Sequence, residues 1–510
     1  MAQGLQWENS GMSAMSGFRI EHDLLGDEKV PSEAYYGIQT LRALQNFNIT
    51  GVPIGHFPEL IRALAIVKQA AAHANRDLGL LSGEKAAAID AACAEIAAGA
   101  LHDEFVVDLI QGGAGTSTNM NANEVIANRA LEMMGHARGE YQFLHPNNDV
   151  NMSQSTNDVY PTAVRLALIL ADDPLIEALR ELGEVFEAKG RELASVLKMG
   201  RTQLQDAVPM TFGQEFAGWA ITVGEDIDRL EEMARLFTEI NLGGTAIGTG
   251  INTHPDYAQR AVDQLSALTG FSFSLAPSLI EATSDTGAFV IFSGILKRVA
   301  IKLSKICNDL RLLSSGPRAG LGEINLPPMQ PGSSIMPGKV NPVIPEAVNQ
   351  TAYQVIGNDL VVAMAAEAGQ LQLNAFEPVI VYNLMSSLRM LSKAIVMLTD
   401  RCVRGITVNL EHCDLLVKDS IGVITAFSPH IGYENATRVA GRALVEKRGV
   451  VEIIREEGLL DDARIDAIMH PTNLTGPSLL LGVTFDDADR THTHLTFDPD
   501  MKPPGDLSNT

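Results

Sequence analysis

Five unusually long stretches of helical periodicity dominate the middle of this 510-residue chain. Apolar residues recur at helical spacing over lengths well beyond an ordinary globular helix. The approximate bounds of these stretches are 161–197, 210–240, 284–314, 343–370 and 376–400. Their apolar stripes are too wide for one bundle to bury, so we expect long antiparallel helices that also pack against other subunits. The pattern predicts an all-α protein that assembles as an oligomer.

The composition agrees with the helical class. Apolar residues make up 46% of the chain and aromatic residues only 5%, so Ala, Leu, Ile, Val and Met must fill the core. The formal net charge of −24 repels phosphate, which argues against nucleic acid and against anionic membranes as partners. An anionic substrate therefore requires a local pocket of hydrogen-bond donors and positive charge.

Cysteine usage and the absence of targeting patterns indicate a cytoplasmic location. The four cysteines show neither CxxC nor metal-ligand spacing, which favours free, buried thiols over disulfides. They are Cys93, Cys307, Cys402 and Cys413. No uninterrupted apolar stretch approaches the length of a membrane span, and the start of the chain lacks the pattern of a signal peptide.

Shorter elements flank the long helices. The periodicity predicts a helical hairpin over 59–78 and 83–101, and a helix over 119–134 that ends at Gly135. We divide the chain into a tail, an N-terminal helical domain, a central helix-bundle domain, a small C-terminal domain and a second tail. Their bounds are 1–17, 18–157, 158–405, 406–482 and 483–510.

A segment rich in Pro, Gly and Ser interrupts the helices after residue 330 and reads PGSSIMPGKVNPVIP. Its prolines and glycines exclude a regular helix, so it is either a rigid connector or a mobile lid. Ser333, Ser334, Lys339 and Asn341 would bring a nucleophile or base, a carboxylate-pairing cation and a neutral donor into one segment. That combination favours a functional loop.

Two further segments place hydroxyls and carboxamides at the start of a helix. They read GGAGTSTNMNANE from Gly112 and SQSTND from Ser153. Helix N-capping explains each of them when taken alone. The same donors at a helix N-terminus also suit a carboxylate ligand, and they are Thr116, Ser155, Thr156 and Asn157.

Two other interruptions carry weaker signals. The segment KMGRTQLQDAVP from Lys198 is explained equally well by a solvated turn between two long helices. The glycine-rich run from Gly243 to Gly250 follows no predicted parallel strand, so its interpretation as a phosphate-binding loop is weak.

In their order along the chain, the polar segments from Gly112, Ser153, Lys198 and Pro331 resemble the aspartase/fumarase superfamily, and most closely its aspartate ammonia-lyases. GSSIMPGKVNP resembles the family signature, and the stretches from Arg19 to Gly26, from Gly200 and from Ser314 are also similar. The resemblance covers about residues 18 to 480. It implies a three-domain fold whose long helices form a 20-helix core in a homotetramer, with each active site built from three subunits.

The resemblance implies reversible deamination of L-aspartate to fumarate and ammonia, by anti elimination through an aci-carboxylate. Two alternatives stay open at this point. Fumarate hydratases share the loop, the fold and fumarate, although SQSTND and Gln203 favour the amine as leaving group. The second alternative is an inactive oligomeric scaffold. The presence of Ser333, Lys339 and Asn341 argues against it.

The resemblance also implies individual roles. Ser333 corresponds to the general base, and Ser334 beside it would contribute to binding. The β-carboxylate would be held by Thr116, Ser155, Thr156 and Asn157, and the α-carboxylate by Lys339 and Asn341. Thr202 would contact the substrate.

Gln203 stands where fumarases carry a His paired with the equivalent of Glu346. Since glutamine does not titrate, we expect hydrogen bonding and orientation from it, with Glu346 left without that partner. The loop from His145 to Asp149 reads HPNND and departs from the HPNDH of many relatives, so a second dicarboxylate site is not predicted there. No cofactor is expected to be required, although the family can be activated by a divalent cation such as magnesium.

Overall fold

The computed structural model describes residues 17–477. The predicted tails at 1–17 and 483–510 lie outside these residues, apart from Gly17. The described chain divides into two compact units. The first contains the residues up to Ala194 together with Phe212–His412, and the second contains Ser195–Thr211 and the residues from Cys413 onward. The predicted division into three domains stays a prediction.

Helices form most of the first unit. In chain order they are α1 (Ile38–Asn46), α2 (Pro58–Asp77), α3 (Gly83–Ala97), α4 (Thr116–Met133), α5 (Thr156–Glu192), α6 (Phe212–Ala234), α7 (Tyr257–Thr269), α8 (Leu279–Ser284), α9 (Gly287–Leu313), α10 (Val343–Glu367) and α11 (Glu377–Arg401). Helix α5 packs along α6 and α11, and α10 packs between α9 and α11. These five long helices form the predicted bundle, and the all-α class is confirmed.

From residue 17 onward, the first unit also contains three small two-stranded sheets. Their strands are β1 (Phe18–Asp23), β2 (Gly26–Pro31), β5 (Glu239–Ile240), β6 (Ser274–Leu275), β7 (Ile324–Asn325) and β8 (Thr407–Val408). β1 and β2 are antiparallel with Phe18 opposite Pro31, β5 and β6 are parallel, and β7 and β8 are antiparallel. The chain therefore opens with a β-hairpin that the helical periodicity did not predict.

The described part of the second unit, up to residue 477, combines a β-hairpin with six short helices. Its elements are β3 (Leu197–Thr202), β4 (Gln205–Thr211), α12 (Leu410–Asp419, which begins in the first unit), α13 (Ile424–Ile431), α14 (Tyr433–Glu446), α15 (Val450–Glu456), α16 (Asp462–Met469) and α17 (Pro471–Leu474). Its core is aliphatic around Phe427, with Val439, Ile453 and Ile465 almost fully buried. The segment from Lys198, predicted as a polar turn between helices, is this hairpin.

Helix α5 begins earlier and ends earlier than the periodicity predicts. Ser155 caps its first turn by accepting from the Asn157 N–H, while the Asp158 carboxylate accepts from the Ser155 N–H at 2.9 Å. This reciprocal capping starts the helix at Thr156 and not near residue 161. Pro161 lies inside the helix and has no N–H for the Asn157 carbonyl, which accepts instead from the Asn241 side chain at 3.0 Å.

One helical segment, Glu377–Gly405, is long and apolar enough to cross a membrane by length and composition. More than half of its most apolar window is buried inside the fold. The core helix of a soluble protein passes the same test, and α11 packs on both α10 and α5. We therefore interpret it as a core helix of the bundle.

Candidate functional site

Three of the predicted donors lie together at the start of α5. Ser155 is the N-cap residue, and Thr156 and Asn157 occupy the first two helical positions, all partly exposed. The Asn157 Nδ2 donates to the Ala246 carbonyl at 2.7 Å, which ties this helix start to the glycine-rich run. A helix N-terminus carries partial positive charge, so the position suits an anion.

Thr116 opens α4 in the same way. Gly115 precedes it with φ +90°, and the exposed Thr116 hydroxyl donates to the Gly113 carbonyl at 2.7 Å. A Cβ on Gly115 would lie 2.5 Å from the Tyr160 ring. Because Tyr160 belongs to α5, glycine at this position lets the starts of the two helices approach each other.

A side-chain hydrogen bond joins the same two helices. The Nδ2 of Asn119, on α4, donates to the Thr156 Oγ1 at 3.2 Å and to the Asn151 Oδ1 at 3.1 Å. Sequence reasoning quoted Asn119 within its segment but assigned it no role. Its position one turn after Thr116, on the same helical face, was the available signal.

Buried charges lie beneath this helix start. Asp158 is fully buried and accepts from the Gly243 and Thr245 N–H groups at 2.9 and 3.0 Å. Burial raises the pKa of Asp158 to about 6, against the lowering effect of these hydrogen bonds. The run from Gly243 to Gly250 therefore binds a carboxylate of its own chain with its backbone, and no phosphate is needed to explain it.

Lys68 is the second buried charge, and sequence reasoning missed it. It is fully buried on α2, where its Nζ donates to the Asn151 Oδ1 at 2.9 Å and to the Gln154 Oε1 at 2.8 Å. Burial lowers the pKa of Lys68 to about 7, while the charge of Asp158 acts in the opposite direction. A lysine on the apolar face of a helix, between Leu64 and Ala71, was the signal that was overlooked.

The Pro- and Gly-rich loop closes on itself between residues 332 and 341. The Gly332 N–H donates to the Lys339 carbonyl at 2.7 Å, and the Asn341 Nδ2 donates to the Gly332 carbonyl at 2.7 Å. A Cβ on Gly332 would lie 2.6 Å from the Lys339 carbonyl oxygen, so only glycine fits this closure. Lys339 and the tip of the loop are exposed.

Ser333 is positioned by backbone donors inside this loop. Its Oγ accepts from the Ile335 and Met336 N–H groups at 3.2 and 3.0 Å. Two N–H donors aimed at one hydroxyl oxygen stabilise negative charge on that oxygen. Ser334 beside it is exposed.

The structure brings some predicted residues together and leaves others apart. Thr116 lies near the group formed by Ser155, Thr156 and Asn157, as the Gly115 and Asn119 contacts show. Within the described part of the chain, no hydrogen bond joins the loop at 332–341 to these helix starts. Hydrogen bonds therefore do not link the two groups of predicted ligands within the described chain.

Thr202 and Gln203 belong to the second unit, at the tip of the β3–β4 hairpin. Thr202 pairs with Gln205, which leaves Gln203 and Leu204 as a two-residue turn. Both turn residues have positive φ, at 54° and 61°, where side chains are strained. The turn leaves the Thr202 and Gln203 side chains exposed.

The remaining candidates occupy positions that a structural role explains. Glu346 lies in the first turn of α10, where a carboxylate interacts favourably with the helix dipole. The His145 Nδ1 accepts from the Asn147 and Asn148 N–H groups, and Asp149 pairs with Lys85 at 2.8 Å. Within residues 17–477, no group of three or more His, Cys, Asp or Glu is placed to hold a metal ion.

Comparison with known proteins identifies the family. The family model described as lyase matches residues 26–357, and that of the fumarase C C-terminus matches residues 423–476. The chain belongs to the aspartase/fumarase superfamily.

Curated members of the superfamily are similar over nearly their whole length. The aspartate ammonia-lyase of Pseudomonas aeruginosa is 64% identical over 92% of this chain and 99% of its own. Those of Helicobacter pylori and Escherichia coli are 56% and 53% identical, each over 90% of this chain and over 98% and 96% of their own.

Solved structures of the superfamily share the fold. The fumarate lyase:delta crystallin from Brucella melitensis bound to cobalt has a TM-score of 0.88 and 59% identity, over 90% of this chain and 100% of that chain. The class II fumarase from Schistosoma mansoni has a TM-score of 0.85 and 36% identity, over 90% of this chain and 99% of that chain. The predicted superfamily resemblance is confirmed.

Proposed function

We propose that the protein deaminates L-aspartate reversibly to fumarate and ammonia. The observation that carries the proposal is the Ser333 hydroxyl, held by two backbone N–H donors in the loop that also carries Lys339 and Asn341. The relatives that are 53–64% identical and named aspartate ammonia-lyase support the same substrate. The fumarase from Schistosoma mansoni supports fumarate hydration as the alternative.

The chemistry requires removal of a proton from a weak acid, the carbon beside the β-carboxylate. Ser333, as an alkoxide, takes this proton, and the electron pair of the C–H bond moves into the β-carboxylate to give an aci-carboxylate dianion. The C–N bond of the protonated amine on the opposite face then breaks and ammonia leaves with the electron pair of that bond, while the pair held in the aci-carboxylate returns to form the carbon–carbon double bond of fumarate. Donors aimed at the dianion lower the barrier of the first step.

The proposed base needs a lowered pKa, because a free serine hydroxyl is far too weak. The N–H groups of Ile335 and Met336 already point at the Ser333 oxygen, and Lys339 adds a positive charge to the same loop. Closure of the loop over the substrate would exclude water and strengthen both effects.

The proposed ligands divide between the two carboxylates of the substrate. Thr116, Ser155, Thr156 and Asn157 bind the β-carboxylate as neutral donors at two helix starts, where no net charge has to be added. Lys339 and Asn341 bind the α-carboxylate. Contacts from Ser334, Thr202 and Gln203 follow from the family resemblance and stay predictions.

Within the described chain, no hydrogen bond joins the loop at 332–341 to the helix starts, which is compatible with a site built from more than one subunit. We propose a homotetramer in which three subunits contribute to each active site. An exposed apolar stripe on α10, formed by Tyr353, Ile356, Leu360 and Met364, supports burial against another copy. The cytoplasmic location and the activation by a divalent cation remain proposals, and no step above uses a metal.

A side-by-side assay tests the proposed function. Purified protein is offered L-aspartate or malate, and fumarate release is followed by its ultraviolet absorbance. We expect turnover of aspartate with little or none of malate. Malate turnover without aspartate turnover would establish the hydratase alternative, and inertness toward both, with and without magnesium, would favour the inactive scaffold.

A further inference from the structure

Lys68 is a fully buried lysine whose hydrogen-bond partners are neutral amides. Its Nζ donates to the Asn151 Oδ1 at 2.9 Å and to the Gln154 Oε1 at 2.8 Å, so both amides turn their oxygen atoms toward it. The Gln154 Nε2 then points to the backbone, where it donates to the Val150 and Met152 carbonyls. The lysine thus fixes the orientation of both amides.

The orientation of Asn151 fixes that of Asn119 in turn. The Asn151 Oδ1 faces Lys68 as an acceptor, so Asn119, 3.1 Å away, must present its NH₂ group. Asn123 donates to the same oxygen at 3.1 Å. The Oδ1 atoms of Asn119 and Asn123 are buried without a hydrogen-bond partner among the described residues. No donor on that side therefore favours the reversed orientation of either amide.

The last link reaches a predicted ligand of the substrate. The second N–H of Asn119 donates to the Thr156 Oγ1 at 3.2 Å. A threonine hydroxyl is both donor and acceptor, and here its acceptor role is taken. Its own hydrogen has no hydrogen-bond acceptor among residues 17–477 and is available to a ligand at the partly exposed start of α5.

We propose that Lys68, Asn151 and Asn119 form a buried relay that holds the Thr156 hydroxyl as a hydrogen-bond donor to the β-carboxylate of the substrate. Lys68 and Asn119 are positioning residues, since each acts through another group. This inference rests on the proposed function. It adds that a buried lysine, which does not touch the substrate, sets the donor character of the site.

The relay answers a specific chemical problem. A carboxylate only accepts hydrogen bonds, while a hydroxyl and a carboxamide each present either sense. If Asn119 were reversed, its Oδ1 would accept from the Thr156 hydroxyl, and the hydrogen meant for the substrate would be consumed. Reversal would also turn its NH₂ away from the Asn151 oxygen that Lys68 holds in place.

The test compares Asn119→Leu and Asn119→Asp with the matched control Asn123→Leu. Asn123 lies one turn further along α4 and also donates to Asn151, but it makes no hydrogen bond to Thr156 in the described chain. The dissociation constant of succinate, a saturated dicarboxylate, is measured by calorimetry alongside the melting temperature. We expect succinate binding at least tenfold weaker for both Asn119 variants and within twofold of wild type for Asn123→Leu.

Lys68→Met and a double-mutant cycle separate the relay from simple packing. Lys68→Met removes the charge at similar volume and should weaken succinate binding at least tenfold. Combined with Asn119→Leu, Thr156→Val should add less than twofold, because both changes remove the same donor. If Lys68→Met does not fold, the Asn119 variants and this cycle decide the question.

The possible outcomes also separate the relay from the proposed function. Folded Asn119 variants that bind succinate like wild type, or independent effects in the cycle, would overturn the relay while aspartate turnover by the wild type stands. A wild type that binds succinate but leaves aspartate unchanged would overturn the proposed function, and the binding series would still judge the relay. A wild type that does neither defeats both.

Discussion

At the residue scale, the environment of Ser333 makes the sharpest prediction about catalysis. Its oxygen accepts from two backbone N–H groups, and the side chain is only partly exposed in a loop that closes on itself. We expect Ser333→Ala to lower kcat for aspartate on the order of 10³-fold or more, because the proposed base is removed. Steady-state kinetics with thermal unfolding checks both activity and fold.

Ser82→Ala provides the matched control for that substitution. Ser82 caps α3, where its hydroxyl accepts from the Lys85 N–H at 3.3 Å. Its removal should lower stability by about 1 kcal/mol and leave kcat unchanged, since a helix cap and not a reacting group is lost. Near-normal turnover by folded Ser333→Ala protein would remove the base assignment.

Asp172 makes a second prediction at this scale. It is buried on α5, and its Oδ1 has no hydrogen-bond partner among the described residues. Burial raises the pKa of Asp172 from 3.8 to about 7, with smaller contributions from the negative charges of Asp173 and Glu231. Because the folded-state pKa lies above the unfolded one, the free energy of unfolding falls as pH rises from about 4 to about 7.

Asp172→Asn removes this titration at nearly constant volume. The variant should gain stability relative to wild type as pH rises, by at most about 4 kcal/mol above pH 7, and the difference should vanish near pH 4. Urea unfolding at several pH values and fixed protein concentration measures it. A difference between the two proteins that does not change with pH would show that Asp172 is compensated in the assembled protein.

At the element scale, the close approach of α4 and α5 is the feature that makes a site out of two helix starts. A Cβ on Gly115 would lie 2.5 Å from the Tyr160 ring. We therefore expect Gly115→Ala to separate the helix starts and to lower kcat/KM for aspartate by about tenfold or more. Kinetic assays on folded protein measure the effect.

Gly135→Ala is the control for backbone strain in that experiment. Gly135 follows the other end of α4 with φ +83°, close to the +90° of Gly115, but no atom lies within 4 Å of its added Cβ. Both variants should lose about 1 kcal/mol of stability from the positive φ. Equal losses of activity in the two would mean that strain, and not the contact with Tyr160, explains the result.

The elements also show what the sequence alone was able to predict. The sequence predicted most ends of the five long helices to within a few residues, because each helix has a sustained apolar stripe. The β3–β4 hairpin was not predicted, because Gln203 and Leu204 occupy a turn that usually contains Asn-Gly. Its strands are also short and adjoin a helix on each side.

The candidate site was predicted as separate segments but not as an arrangement. Thr116 and Thr156 each follow a recognisable helix-start pattern, and the family resemblance supplied their roles. The bridge from Asn119 to Thr156 joins residues 37 positions apart, so local patterns do not reveal it. Lys68 escaped notice because it is separated from Asn151 by 83 positions.

At the scale of the whole molecule, the outer surface of α10 is the feature that a single chain leaves unexplained. Tyr353, Leu360 and Met364 are 58, 62 and 64% exposed and lie on one helical face, with the partly exposed Ile356 between them. An apolar stripe of this kind on a soluble protein usually marks an interface. It supports the proposed tetramer, whose mass would be about four times the 54.8 kDa of the chain.

A charge placed in this stripe should therefore dissociate the oligomer and abolish the activity together. Leu360→Lys should shift the mass measured by light scattering after size exclusion toward dimers or monomers, because burying an unpaired ammonium at an interface is costly. Turnover should fall in the chromatographic fractions that contain the smaller species, because the proposed site takes ligands from more than one subunit. Leu444→Lys, at a leucine that is 69% exposed in the second unit, should leave both mass and turnover unchanged. A fully active monomer of Leu360→Lys would show that one chain completes the site and would overturn the shared-site proposal.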